Sequence, residues 1–120
     1  MSTTSTIAKV NADGSVTQIY VHWDGFLEGV GLELKHRYDV PDLIDALLAK
    51  GDHSQLLGKA VSYRSLGESD VEPVTYTSLD EYVREANAED YNYLYTLDGV
   101  WTCSPGDLYN FREYQGEEFA

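Results

Sequence analysis

Cysteine is almost absent from this chain. Cys103 stands alone, which rules out an internal disulfide and any Cys-based metal cluster. Basic residues are scarce as well, with 8 Lys and Arg against 21 Asp and Glu. No basic stripe remains to displace counterions, so direct contact with nucleic-acid phosphates is disfavoured. No apolar run approaches the ~18 residues of a membrane span. The opening Met1-Ser2-Thr3-Thr4-Ser5-Thr6 lacks the basic start and apolar stretch of a secretion signal. These absences lead to the expectation of a soluble protein in a reducing cytoplasm, with no membrane partner.

What is present fits one globular domain. The 120 residues are 42% hydrophobic and 24% charged, and ten Tyr with two Trp suit a fold rich in sheet. The net charge of −13 is unevenly placed. Residues 1–60 carry five Lys/Arg against eight Asp/Glu, whereas residues 61–120 carry three against thirteen. Such a surface either keeps the chain dispersed by self-repulsion or offers a negative face to a basic protein, in imitation of nucleic acid.

Hydrophobic patterning sets out the elements. Thr6–Val10 reads as a strand, Asn11-Ala12-Asp13-Gly14 as a turn, and Ser15–Trp23 as the returning strand. On that strand Thr17, Ile19, Val21 and Trp23 share one face, with Gln18, Tyr20 and His22 on the other. A short helix is expected over Leu32–Tyr38. A second runs from Pro41 to Lys50, with Leu43, Ile44, Leu47 and Leu48 on its apolar face and Gly51 as its stop. Asp52–Gly58 suggests at most a further helical turn, Ala60–Tyr63 a strand, and Ser65–Pro73 an exposed acidic loop.

Ser78-Leu79-Asp80-Glu81 is a capping box that opens a helix reaching about Asn87. Asp90–Leu97 and Val100–Cys103 form a hairpin about Asp98-Gly99, read as a two-residue turn. Leu108–Tyr114 fits a last strand, with helix as the alternative, and the tail Gln115–Ala120 is expected to fray. The fold class expected is α+β: an antiparallel sheet built from two hairpins, with two to three short helices packed on one face.

Three groups of residues invite a functional reading. His22, Asp24 and Glu28 meet at a glycine-rich turn, where a general base and an orienting carboxylate are one option. As metal ligands they need further partners such as His36 or His53, whose convergence nothing in the spacing requires. Gly25, Gly29 and Gly31 match neither a dinucleotide fingerprint nor a P-loop, which leaves a backbone anion nest or simple tight-turn geometry. Tyr91, Tyr93 and Tyr95 share a strand face and serve either as core or as a partner-binding patch. Glu89, Asp90, Asp98 and Asp107 lie around them. Cys103 reads as an inert buried thiol, and Lys35-His36-Arg37 as the solvated end of a helix.

The segments Met1-Ser2-Thr3, Tyr20-Val21-His22-Trp23-Asp24-Gly25-Phe26 and Gly29-Val30-Gly31 resemble small accessory proteins of tailed phages. Those proteins share a Met-Ser-Thr start, a Cys-His-Trp-Asp-Gly-Tyr segment, a Gly-Val-Gly step into a helix and a Leu-Gly-Asp segment. Val21 stands here for their Cys and Phe26 for their Tyr. Ala49-Lys50-Gly51-Asp52 matches the last segment approximately, and Asp98-Gly99-Val100-Trp101 suits their late hairpin. The likeness is close over residues 1–58 and loose beyond.

The resemblance carries over no catalytic residue, and no cofactor is expected. It implies a phage protein in the cytoplasm of the infected bacterium, where small acidic proteins counter host defences, as anti-CRISPR proteins do. The leading expectation is therefore a non-enzymatic inhibitor that occludes the basic surface of a host defence or nucleic-acid-binding protein. The alternative is a sequestering protein for a nucleotide-like signal, using His22, Trp23, Asp24, Phe26, Gly29 and Gly31.

Overall fold

The computed structural model describes residues 2–116 and 118–119. Its centre is β1 (Ser5–Val10), hydrogen-bonded antiparallel to β2 (Val16–Val21) on one side. On the other side β1 runs parallel to β6 (Tyr91–Tyr95). Beyond β6 come β7 (Trp101–Pro105), β8 (Arg112–Gln115) and β9 (Glu118–Phe119), each antiparallel to its neighbour. Beyond β2 lie β3 (His53–Gln55) and β4 (Val61–Ser62), and β5 (Val74–Tyr76) pairs with the other end of β2. Among the described residues the nine strands form a mixed sheet, and the class is α+β.

The two hairpins turn in the same way. Asn11 N–H donates to Ser15 O and Gly14 N–H to Asn11 O; Thr96 N–H donates to Val100 O and Gly99 N–H to Thr96 O. Each loop is thus three residues long, with the glycine in the left-handed region at φ 89° and 79°. The Asp98-Gly99 turn is one residue longer than the two-residue type read from the sequence, because its glycine closes a type I turn instead of forming a primed one.

Two helices cover one face. A wide turn at Leu27–Gly31, with i→i+5 hydrogen bonds, leads into α1 (Leu32–Arg37), followed by α2 (Pro41–Ala49). They bury Val30, Leu34, Ile44, Leu47 and Leu48 against Ile7, Ile19, Val21, Tyr93 and Tyr95. Leu43, expected on the apolar face of α2, is exposed. The third helix, α3 (Leu79–Glu85), lies on the opposite face, where Tyr82 packs with Ala8, Val16, Leu94 and Leu108. The helices therefore sandwich the sheet. Alternation on β1 and β6 places Ile7 and Tyr93 on one side and Ala8 and Leu94 on the other, so both faces need cover.

Further differences lie at β2's outer edge and at the C-terminus. His53–Gln55 is a strand and not a helical turn, since His22 N–H donates to His53 O and Trp23 N–H to Ser54 O. Val74–Tyr76, unassigned from sequence, pairs with β2. The tail is partly ordered, with Phe119 paired opposite Tyr114; Glu117, Ala120 and Met1 lie outside the described residues. Among the described residues no helix is long and apolar enough to cross a membrane.

Candidate functional site

The glycine turn is filled by the protein itself. Gly25 N–H donates to Thr3 O, and the amides of Gly29 and Gly31 both donate to Phe26 O, at 2.8, 3.0 and 3.4 Å. A Cβ on Gly25 would lie 2.6 Å from Thr4 O, one on Gly29 would strike the Asp24 carbonyl, and one on Gly31 would sit 3.0 Å from the Tyr93 hydroxyl. Asp24 takes a left-handed φ of 60°, and its carbonyl accepts from Val30 N–H. These glycines serve close backbone packing, and their amides are not free to form an anion nest. Trp23 is 45% exposed and thus not the core residue that alternation along the strand suggests. His22 Nδ1 lies 2.7 Å from the Tyr20 hydroxyl, and the His22 ring meets Trp23 edge-on.

The tyrosine strand is core. Tyr93 is fully buried and Tyr95 6% exposed, so neither offers surface to a partner; Tyr91 packs partly buried against the same cluster. The Tyr93 hydroxyl donates to Gly25 O at 2.7 Å, and Tyr114 donates to Gly31 O at 3.0 Å. The two phenols tie the buried core to the irregular turn, each donating to one of its carbonyls.

The acidic residues proposed beside the tyrosines divide between the two ends of β6. Asp98 sits at the hairpin tip, whereas Glu89 and Asp90 precede the strand. Asp107 lies near them, since Asn92 Nδ2 reaches Asp107 O at 3.0 Å. Its carboxylate is spent on its own loop, accepting from the Ser104 hydroxyl at 2.6 Å and from Tyr109 N–H and Asn110 Nδ2 at 3.0 Å. The Ser104 bond, with the others, holds its pKa below the ordinary Asp value.

The acidity instead converges on a cleft that sequence reasoning missed. β5 pairs with Val16–Gln18 and β3 with Val21, so on the edge of β2 away from β1 the middle has no strand beside it. Asp52 fills that gap, its Oδ1 accepting from Tyr20 N–H at 2.9 Å. The resulting cleft of about 270 Å³ is lined by Gln18, Tyr20, Asp52, Glu72, Tyr76 and Glu89, together with Thr6, Ile19, Val74 and Asn87. No Lys or Arg lines it; Glu72 reaches out to Arg64 at 2.8 Å.

Burial raises the Asp52 pKa above its ordinary value against the opposing Tyr20 N–H. Burial also raises that of the Tyr20 phenol, aided by the charge of Glu89. Of these residues only Glu89 was among the sequence candidates. Asp52 and Glu72 carry no local signal, and the β-branched and aromatic run Val74-Thr75-Tyr76 was the one hint of a strand there.

Comparison with protein-family models, with curated proteins and with solved structures finds no match to this chain.

An excess of carboxylates among phenol and amide groups can hold a guanidinium or ammonium group. It carries no nucleophile paired with a base. Among the described residues no group of three or more His, Cys, Asp or Glu is placed to hold a metal ion. Cys103 is fully buried, and burial pushes its thiol up to about 12. Of the Lys35-His36-Arg37 segment, Lys35 Nζ donates to Tyr114 O at 2.9 Å, Arg37 pairs with Glu33, and His36 is exposed.

Proposed function

We propose that this chain is an acidic phage accessory protein that binds and inhibits a host protein by occluding a basic surface, in the cytoplasm of the infected cell. A defence factor or another nucleic-acid-binding protein is the fitting target, because it already carries a surface built for phosphates. The observation that carries this reading is the cleft beside β2, where Asp52, Glu72 and Glu89 gather without a lining cation. The net charge of −13 would steer a basic partner toward it from a distance. Glu89 and Asp90, at the start of β6, extend the negative surface. The sequestering alternative at His22–Gly31 loses its main support, because the glycine amides are already bonded and the space beside the glycines is occupied.

The test is capture from bacterial lysate on the immobilised chain, eluted with rising salt. A nucleic-acid-handling protein should elute as salt screens the interface, and Glu72→Gln/Glu89→Gln should lower its recovery about tenfold. A partner retained unchanged in molar salt, or held equally by the double variant, would remove the electrostatic reading.

A further inference from the structure

A net-basic stretch of this acidic chain lies on the far side of Glu72. Residues 49–67 carry Lys50, Lys59 and Arg64 against Asp52 alone, whereas the following stretch is rich in carboxylates. Lys50, His53, Ser62, Arg64 and Ser65, with Ala60, line a cleft of about 360 Å³. From these groups we infer that the cleft binds a phosphate oxyanion that retains a proton, with inorganic hydrogen phosphate as its simplest form.

His53 sets the requirement for the proton. It is fully buried, and its Nδ1 lies 2.7 Å from Gly51 O. A carbonyl only accepts, so Nδ1 carries the hydrogen and Nε2 presents a lone pair. That Nε2 is buried and has no hydrogen-bond partner. Burial lowers the ring's pKa and outweighs the opposing Gly51 bond, so the ring stays neutral and Nε2 remains an acceptor. A buried acceptor left without a donor is unfavourable, and a ligand that supplies one gains accordingly.

The other groups call for negative oxygens. Lys50 makes no ion pair among the described residues. Arg64 is held over Gly51, with Nη1 donating to Ala49 O at 3.0 Å and Nη2 on Glu72. The Nη1 bond also satisfies a carbonyl at the C-terminal end of α2, whose partial negative charge would otherwise oppose an anion. The Ser62 hydroxyl accepts from Ser65 N–H at 3.2 Å, which leaves its own hydrogen to donate, while the Ser65 hydroxyl is committed to Ser62 O.

A fully deprotonated oxyanion such as sulfate suits the cations but sets its charge against the Nε2 lone pair. Hydrogen phosphate offers anionic oxygens to Lys50, Arg64 and Ser62 and its P–OH to His53.

The experiment uses the full chain, isotopically labelled, titrated at pH 7 and fixed ionic strength with sodium phosphate and separately with sodium sulfate. Saturable shifts of the His53 ring and of the Ser62 and Ser65 amides are expected with phosphate, and binding about tenfold weaker with sulfate. Lys50→Gln should weaken phosphate about tenfold. Lys59→Gln, the same charge change outside the lining, should leave it within about twofold. Equal affinity for the two anions would overturn the role of Nε2. Shifts that never saturate, or equal losses in the two lysine variants, would overturn the site itself.

Discussion

Single residues set how the turns close. Gly14 and Gly29 separate two reasons for a glycine. Gly14 has φ 89° with nothing within 4 Å of a would-be Cβ, whereas a Cβ on Gly29 would run into the Asp24 carbonyl. Gly14→Ala should therefore cost about 1 kcal/mol, the intrinsic cost of the left-handed conformation. Gly29→Ala should cost about 2–3 kcal/mol, because backbone must move. Urea unfolding of both variants checks the order, and equal losses would mean that the wide turn adapts freely. Asn92 is another residue whose weight the sequence hides. Fully buried, it accepts from the Thr6 hydroxyl and Glu89 N–H, and its Nδ2 reaches the carbonyls of Glu89, Ser104 and Asp107. One amide thus ties β1, β6 and the loop after β7 together, a role that only these long-range contacts reveal.

Elements formed where local signals agreed with burial. The clearest is α3, whose Ser78 hydroxyl accepts from Glu81 N–H at 3.1 Å. Glu81 reaches back to Thr77 N–H and its hydroxyl, one residue before the reciprocal contact of a standard capping box. Ser78→Ala should destabilise the protein by about 1 kcal/mol, seen as a lower urea midpoint at unchanged slope. An unchanged midpoint would show that burial of Tyr82 alone holds the helix in place. Two of the elements that escaped sequence reading, β3 and β5, have three residues each and no alternating pattern. They exist because β2 offers an unpaired edge, and a short segment gains its hydrogen bonds from that edge rather than from its own propensity.

For the molecule as a whole, acidity and burial meet in the response to pH. His53 is neutral and buried, with its pKa below the ordinary histidine value. In the unfolded chain it titrates near 6.5. As pH falls through that value the unfolded state takes up a proton that the folded state refuses, so stability drops until the folded pKa is reached. Asp52 has the opposite sign: its raised pKa makes the fold accept a proton first, so acidification just above the ordinary Asp range relieves a cost. Between pH 7 and 5.5 the His53 effect should prevail, with a loss of at most about 1.4 kcal/mol per pH unit. Urea unfolding in phosphate-free buffer measures it, and stability that stays flat over this range would contradict a neutral buried His53.

The sequence by itself determined the charge imbalance, the positions of the two Asp-Gly hairpin turns, the Pro41 start of α2 and the cap of α3. Each depends on composition or on contacts within about four residues, where backbone geometry and side-chain chemistry act directly. Only the tertiary structure decided that α3 crosses to the second face, that the tyrosine strand is core, and that Asp52, Glu72 and Glu89 share one cleft and Lys50, His53 and Arg64 another. Those groupings come from β3 and β5 dividing one edge of β2, a pairing between distant segments that leaves no period or motif in the chain.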